Sequence, residues 1–152
     1  MSGRLTIAVE RADREDVRAL LQTVASWSVE LYPPESRHGL DLAAYERPDV
    51  TLFVARERGV ALGCGACQLQ GDGSAELKSM FVVPEARGRG VGQAILAAIE
   101  HALCGRIATL RLETGVKQQP AIRLYEAAGF RRCGPFGSYR DDPLSIFMEK
   151  PL

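Results

Sequence analysis

The chain has 152 residues, of which 46% are hydrophobic and 25% charged, a composition typical of a globular protein with a sizeable core. Its 19 basic residues balance its 19 acidic ones, which argues against an electrostatic partner such as nucleic acid or a membrane surface. Its apolar runs are too short to span a membrane, and its first residues lack the apolar core of a signal peptide. We therefore expect a single domain over residues 1–152, located in the cytoplasm.

The first part of the chain predicts a strand followed by a helix. Residues 5–10 alternate apolar and polar side chains, and apolar residues then recur at helical spacing as far as Val24. Asp13 is a candidate N-cap for this helix, because acidic residues follow it in the first turn. The two prolines after Tyr32 end whatever helix precedes them, and residues 40–45 predict a short second helix.

Three strands are predicted next, over residues 51–56, 60–69 and 75–83. A turn that contains Gly59 joins the first two, and the three strands form an antiparallel meander. Gly63 and Gly65 interrupt the second strand, where they indicate a bulge or a close approach of another backbone.

The four cysteines do not form a disulfide or metal framework. Cys64 and Cys67 lie in a predicted strand, where an offset of three residues directs the side chains to opposite faces. The two histidines, His38 and His101, are far along the chain from this pair. The spacing favours free thiols over a zinc or redox site, and we expect no metal.

After a glycine-rich loop, the predicted order is helix, strand, helix, strand and strand, beginning near residues 91, 108, 120, 130 and 144. The strand before the loop, the helix after it and the next strand predict a right-handed crossover unit. In such a unit the two strands are parallel.

The glycine-rich loop has the features of a phosphate-binding site. Gly88, Gly90 and Gly92 have no Cβ, so their main-chain N–H groups can approach an anion closely. The helix that follows adds unpaired N–H groups and the positive end of its dipole. Arg87 and Arg89 supply charge and bidentate donors for phosphate oxygens.

Three phosphate-binding patterns compete for this loop. A nucleoside-triphosphate loop requires a Gly-Lys-Ser/Thr ending, and this loop continues without a lysine. A dinucleotide loop requires a glycine where Gln93 stands, although Glu113 near the end of a later strand fits its ribose contact. The antiparallel meander also counts against the dinucleotide fold. The third pattern, Arg/Gln-x-x-Gly-x-Gly/Ala, is met by Arg87, Gly90 and Gly92.

This third pattern resembles the pyrophosphate-binding signature of the GNAT superfamily of acetyl-CoA-dependent N-acetyltransferases. A second motif of that superfamily is met by Ala121, Leu124, Tyr125, Gly129 and Phe130. The family usually has Asn where this chain has Gln118, whose amide can still donate a hydrogen bond to pantetheine. Segments around Tyr32 and Tyr139 also resemble a bacterial GNAT subgroup with poorly defined substrates.

The resemblance implies a mixed α/β fold, the GNAT acyl-CoA N-acyltransferase fold. Its central sheet is mostly antiparallel, its central strands are splayed, and about four helices flank it. The exposed backbone of the central strand would pair with pantetheine like an extra strand.

The resemblance also implies acetyl-CoA as cosubstrate and direct transfer of its acetyl group through a ternary complex. The residues it implies for binding acetyl-CoA are Phe81, Val82, Val83, Arg87, Gly88, Arg89, Gly90, Val91, Gly92, Gln93, Gln118 and Tyr125.

Three catalytic roles follow from the resemblance and from the needs of acyl transfer to an amine. Glu76 is the candidate general base, and strand alternation places it on one face with Lys78, Met80 and Val82. The Met80 main-chain N–H would face the thioester carbonyl. The Tyr125 phenol would protonate the departing sulfur.

The acceptor amine is not selected by the sequence. Polar and aromatic groups in two loops predict contacts with a small-molecule or peptide amine through Tyr32, Glu35, Arg37, His38 and Tyr139. Their mixed charge allows an amino acid, and the resemblance allows a homodimer. Two other functions stay open: a GNAT-like module that binds acetyl-CoA without turnover, and a nucleotide-dependent oxidoreductase.

Overall fold

Seven strands form one sheet in the computed structural model, which describes residues 3–152. The strands are β1 (Leu5–Val9), β2 (Val50–Glu57), β3 (Val60–Leu69), β4 (Ser74–Val82), β5 (Thr109–Gly115), β6 (Arg131–Cys133) and β7 (Ser145–Pro151). The sheet order is β1-β2-β3-β4-β5-β7-β6. Only β4 and β5 pair in parallel, and every other neighbouring pair is antiparallel. The predicted mixed, mostly antiparallel sheet is therefore confirmed.

Three α-helices and three short 3-10 helices pack around this sheet in the described part of the chain. The α-helices are α1 (Glu15–Leu31), α2 (Val91–Leu103) and α3 (Gln119–Ala127), and the 3-10 helices span Pro34–Ser36, Leu42–Glu46 and Pro84–Ala86. None of the helices within residues 3–152 is both long and apolar enough to cross a membrane.

The expectation of about four helices needs a correction at residues 40–45. That segment forms a 3-10 helix, in which the Asp41 carboxylate accepts a hydrogen bond from the Ala44 N–H at 2.9 Å. Pro48 follows two residues after the helix ends, and it disfavours a helical conformation for the residue before it. The segment is therefore limited to a short turn.

Helix α1 begins differently from the sequence prediction, but it ends where the prolines after Tyr32 predict. Arg14 occupies the N-cap position without a side-chain cap, so Asp13 is not the N-cap. The Asp13 carboxylate pairs instead with Arg11 at 3.2 Å, whereas the Asp16 carboxylate accepts a hydrogen bond from the Val17 N–H at 2.9 Å. The helix continues to Leu31, immediately before the Tyr32–Pro33–Pro34 stop.

Two hydrophobic layers cover the two faces of the sheet. Helices α2 and α3 pack on one face through residues that include Ile95, Ile99 and Tyr125. Helix α1 packs on the other face through residues that include Val17 and Leu21. Cys64 lies in the α1 layer and Cys67 in the α2 layer, so the predicted opposite orientation of the two thiols is confirmed.

The parallel pair β4–β5 separates before either strand ends. Pairing runs only from Ser74 opposite Thr109 to Leu77 opposite Leu112. Strand β4 nevertheless continues to Val82, and β5 continues to Gly115. The predicted splay of the central strands is confirmed, and it opens a gap in the middle of the sheet.

A β-bulge at Ser79 reverses the alternation of side chains along β4. Ser79 has a φ of 60°, and the β3–β4 register shifts opposite it, between Cys64 and Ala66. Glu76 and Lys78 therefore lie on the α1 face, while Met80 and Val82 pack into the α2 layer. The prediction that all four share one face is wrong, because the extra residue at the bulge changes the period.

Gly63 lies where β3 passes closest to the bulged part of β4. A Cβ at this position would lie 2.6 Å from the Phe81 main-chain oxygen and 3.2 Å from Ile95 Cδ1. The prediction of a close backbone approach is confirmed, and the approach leaves no room for a side chain.

We expect Gly63→Ala to lower the free energy of unfolding by about 1–3 kcal/mol, because β3 and β4 must move apart. Gly134→Ala is the matched control, since a Cβ there has no neighbour within 4 Å and the position lies outside the strands. Urea unfolding of both variants measures the difference. Equal free energies for the two variants would contradict the close packing of β3 against β4.

Candidate active site

The gap between β4 and β5 leads into a cleft of about 690 Å³. The glycine-rich loop and the start of α2 line one end, and side chains from α1, β4, β5 and the loop before β7 line the other. Among residues 3–152, the main-chain groups of β4 beyond Leu77 have no strand partner on the β5 side. The cleft therefore offers free backbone hydrogen-bonding groups to an extended ligand.

The glycine-rich loop leaves an open space at the N-terminus of α2. Gly88 and Gly90 have φ values of 77° and 81°, in the left-handed region that glycine adopts without strain. A Cβ at Gly88 would meet no atom within 4 Å, and one at Gly90 would approach only Gln93 Oε1, at 3.7 Å. The first N–H groups of α2 border this space, which has the chemistry of an anion site.

Gly92 has a different local role from the other two glycines. A Cβ there would lie 3.2 Å from Leu124 Cδ2 and 3.7 Å from Val82 Cγ2. The absence of a side chain lets α2 pack closely against α3 and β4. Val91, the first residue of α2, is buried, and both Val91 and Gln93 line the cleft.

The two arginines of the loop point to different places. The Arg87 Nε donates to the Val82 carbonyl at 3.0 Å, and its guanidinium lies 4.6 Å from the centre of the Trp27 ring. Arg87 lines the cleft together with Gly88 and Gly90. Arg89 pairs with Glu57 at 2.5 Å and does not line the cleft.

The end of β4 offers fewer free main-chain groups than expected. The Val83 N–H donates to the Leu62 carbonyl at 2.8 Å, and the Val82 carbonyl accepts from Arg87. Met80, Phe81 and Val82 line the cleft, whereas Val83 does not.

Gln118 caps the gap on the β5 side. Its Oε1 accepts hydrogen bonds from the Gly115 N–H at 3.0 Å and the Thr114 hydroxyl at 3.2 Å. The main-chain donor identifies this atom as the oxygen, so the Nε2 donor lies on the other side of the amide. Gln118 lines the cleft, and its contact to pantetheine stays a prediction.

Tyr125 is buried on α3, with its ring packed edge to face on Phe130 at 5.8 Å between ring centres. Within residues 3–152 its hydroxyl has no hydrogen-bond partner, although the residue lines the cleft. Burial, followed by the nearby charge of Glu113, raises the pKa of the Tyr125 phenol. The phenol therefore stays protonated at neutral pH, as a proton donor must.

A polar floor, formed by Glu76, Lys78, Glu113 and Tyr139, covers the α1 side of the cleft. The Tyr139 hydroxyl donates to the Glu76 carboxylate. The Lys78 ammonium lies 3.2 Å from Glu76 Oε2, 3.2 Å from the Tyr139 hydroxyl and 2.9 Å from the His38 carbonyl. Burial and the neighbouring Glu76 raise the pKa of Tyr139, which therefore remains a neutral donor.

Glu113 is a site residue that the sequence analysis considered only as a ribose contact. It is half-buried on β5, and its carboxylate accepts a hydrogen bond from the Ser145 hydroxyl at 2.7 Å. Burial is the main reason that its pKa is raised, and Glu76 adds to the effect. In the sequence, Leu110 and Leu112 alternate with polar neighbours, and this alternation places Glu113 on the polar face of β5. That signal could have identified Glu113 as a site residue.

The predicted substrate residues divide into two groups. Tyr32 and His38 line the cleft together with Tyr139, and the His38 ring packs edge to face on Tyr139 at 5.0 Å. Arg37 instead donates to the Tyr32 carbonyl at 2.8 Å, and exposed Glu35 does not line the cleft. The structure therefore brings three of these five predicted residues to the cleft.

Within the described residues, no cluster of His, Cys, Asp and Glu could hold a metal ion.

The family model for the GNAT acetyltransferases matches residues 15–130 of the chain. The protein belongs to the GNAT acetyltransferase family. An IAA acetyltransferase of Azospirillum brasilense is 45% identical to it over 150 residues, which cover 97% of this chain and 98% of that protein.

Solved structures agree with this assignment. A protein of Klebsiella pneumoniae subsp. pneumoniae, described as an acyl-CoA N-acyltransferase, shares 35% identity and a TM-score of 0.82, with 97% of each chain covered. A GNAT acetyltransferase of Elizabethkingia anophelis, solved with acetyl-CoA bound, has the same fold with a TM-score of 0.72 at 17% identity, over 97% of this chain and 98% of that one. The chain is thus an N-acetyltransferase, and its family uses acetyl-CoA.

We expect Gly90→Glu to abolish acetyl-CoA binding, because it puts bulk and negative charge into the anion site. Gly105→Glu is the matched control: its φ of 82° imposes the same backbone strain, and a Cβ there meets nothing within 4 Å, but it follows the other end of α2. Isothermal titration with acetyl-CoA should give heat for the control and none for Gly90→Glu. Retained binding in Gly90→Glu would place the phosphate site elsewhere.

Proposed function

We propose that the protein transfers the acetyl group of acetyl-CoA directly to the primary amine of a small molecule, in a ternary complex. The observation that carries this proposal is the unpaired gap between β4 and β5, which joins the anion site at one end to the polar floor at the other. A small-molecule acceptor is supported by the relative named IAA acetyltransferase, which matches the chain over 97% of its length.

Acetyl-CoA would supply the activated acetyl group, and the chain's own residues fit its diphosphate and its pantetheine chain. The amides at Gly88, Gly90 and the start of α2 would bind the diphosphate. The free edge of β4 and the Gln118 amide would bind the pantetheine chain. The Met80 N–H would stabilise negative charge at the thioester oxygen.

The charges of the polar floor suit an acceptor that arrives as a cation. Glu76 and Glu113 bring two carboxylates, and Lys78 is the one cation among them. Three protein oxygens already surround the Lys78 ammonium, so its hydrogens are all engaged. An incoming ammonium group would therefore balance the remaining carboxylate.

Glu113 is better placed than Glu76 to accept the amine proton. The Glu76 carboxylate already accepts hydrogen bonds from both the Tyr139 hydroxyl and the Lys78 ammonium, so these two groups compete with an incoming amine for its oxygens. Glu113 has one side-chain donor, Ser145, and its raised pKa brings it closer to the operating pH of a general base. We assign proton removal to Glu113 and orientation of the ammonium group to Glu76.

Tyr125 would protonate the departing sulfur from the α3 side. The residue lines the cleft, and its burial raises the pKa of the phenol and keeps it protonated. The acid and the base would thus lie on opposite faces of the sheet, on either side of the gap.

The pH dependence of activity tests the assignment of Glu113. A base must be deprotonated, so kcat/KM should fall as the pH drops through the raised pKa of Glu113, above the ordinary value of about 4.3. In Glu113→Gln we expect a rate lower by roughly 10²–10⁴-fold and no such limb in the profile. Glu76→Gln is the matched variant on the same face, and it should keep the limb. If Glu76→Gln loses it and Glu113→Gln keeps it, Glu76 is the base.

Tyr125→Phe removes only the hydroxyl and keeps the ring packed on Phe130. We expect kcat to fall by roughly 10²-fold, with little change in the dissociation constant of acetyl-CoA. Steady-state kinetics and titration with acetyl-CoA measure the two quantities. An unchanged kcat would remove the acid role from Tyr125.

A binding module without turnover is the alternative function. Release of coenzyme A, followed over a panel of primary amines, separates it from an enzyme. Tight binding of acetyl-CoA with no turnover on any amine would support the module and contradict the proposal.

A further inference from the structure

Ser79 has a backbone conformation that its side chain does not favour. Its φ of 60° lies in the left-handed region, which is strained for a residue with a Cβ. Arg58, the other such non-glycine residue in the described part of the chain, sits in the β2–β3 hairpin beside Gly59, where a turn requires it. Ser79 instead lies inside a strand and lines the cleft.

Two buried side chains form hydrogen bonds with Ser79, one with its hydroxyl and one with its carbonyl. The Tyr45 hydroxyl is hydrogen-bonded to Ser79 Oγ at 2.5 Å, and the Cys64 thiol donates to the Ser79 carbonyl at 3.3 Å. Tyr45 comes from the Leu42–Glu46 helix and Cys64 from the neighbouring strand β3. Both belong to the hydrophobic layer under α1, so their positions are determined by packing.

Both partners remain neutral over the physiological pH range. Burial raises the pKa of the Cys64 thiol to about 12. Burial is also the largest cause of the raised pKa of Tyr45. The two hydrogen bonds to Ser79 therefore do not switch with pH.

The conformation of Ser79 sets the direction of the next N–H group. The peptide plane between Ser79 and Met80 rotates with the ψ of Ser79 and the φ of Met80, so a change at Ser79 turns the Met80 N–H. The bulge also removes the extra β4 residue from pairing with β3 at this point. An N–H of the bulge can then be directed into the gap.

We propose that Tyr45 is a positioning residue for acetyl transfer: its hydroxyl, with the Cys64 thiol, holds Ser79 in the left-handed conformation and so directs the Met80 N–H at the thioester carbonyl. This inference rests on the proposed function, in which Met80 supplies that donor. It adds a requirement for a residue that touches neither acetyl-CoA nor the acceptor.

Tyr45→Phe removes the hydrogen bond and keeps the packed ring. We expect kcat to fall about tenfold with an unchanged dissociation constant for acetyl-CoA, a smaller loss than the roughly 10²–10³-fold that follows complete removal of an oxyanion donor. Ser79→Ala removes the same hydrogen bond from the other side and should lower kcat by the same factor. The double variant, Tyr45→Phe with Ser79→Ala, should lose no more kcat than either single variant.

Ser79→Gly supplies the rescue that a merely structural role would not show. Glycine adopts a positive φ without strain, so the bulge no longer needs the two hydrogen bonds. Ser79→Gly should therefore keep kcat near the wild-type value, with or without Tyr45→Phe, whereas Ser79→Ala loses it. If Tyr45→Phe lowers kcat equally with serine and with glycine at position 79, the proposal is overturned.

The carbonyl stretch of bound acetyl-CoA, labelled with ¹³C at the thioester carbonyl, tests the inference without any acceptor. Isotope-edited infrared spectra should show a lower frequency in the wild-type complex, and Tyr45→Phe and Ser79→Ala should move it back toward the free value. If the shift behaves in this way but no amine is acetylated, the proposed function fails and the role of Tyr45 stands. An unchanged stretch and an unchanged kcat in both folded variants would contradict the role of Tyr45.

Discussion

The parallel pairing of β4 and β5 ends at Leu77 and Leu112, although both strands continue beyond it. Buried main-chain groups need partners, so strands that separate inside a sheet leave donors and acceptors that a ligand can satisfy. The gap also opens a passage between the two faces of the sheet, which an unbroken sheet would not have. This gap connects the anion site at the start of α2, the polar floor and the buried phenol of Tyr125. In the proposed function, the three can act on one bound ligand only because of that connection.

The bulge at Ser79 gives the two ends of β4 different chemistry. Before the bulge, Glu76 and Lys78 face the α1 side and form part of the polar floor. After it, Met80 and Val82 belong to the apolar layer under α2 and α3. In the proposed function, this one strand would present charged groups to an acceptor amine and main-chain groups to an acyl carrier. A regular strand would place these four side chains on a single face.

Local patterns in the sequence predicted most of the fold, including the open glycine-rich loop at the start of α2. Glycines at 88 and 90 and the helix after them carry their function in the backbone, and Tyr125 lies in a recognisable motif. The reversal at Ser79 was missed, because serine carries no signal for a positive φ and its conformation is determined by Tyr45, which is distant in sequence. The pairing of Arg89 with Glu57 and the place of Glu113 beside Ser145 likewise depend on tertiary contacts.

A crystal structure of the protein with acetyl-CoA tests the central claim most directly, because that claim concerns where the cosubstrate lies between two separated strands. We predict that the diphosphate contacts the main-chain N–H groups of the loop from Gly88 to Val91, and that the pantetheine chain lies along β4 inside the gap. The thioester carbonyl should then accept a hydrogen bond from Met80. A complex in which β4 and β5 pair along their whole length, or in which acetyl-CoA binds outside the gap, would contradict the account.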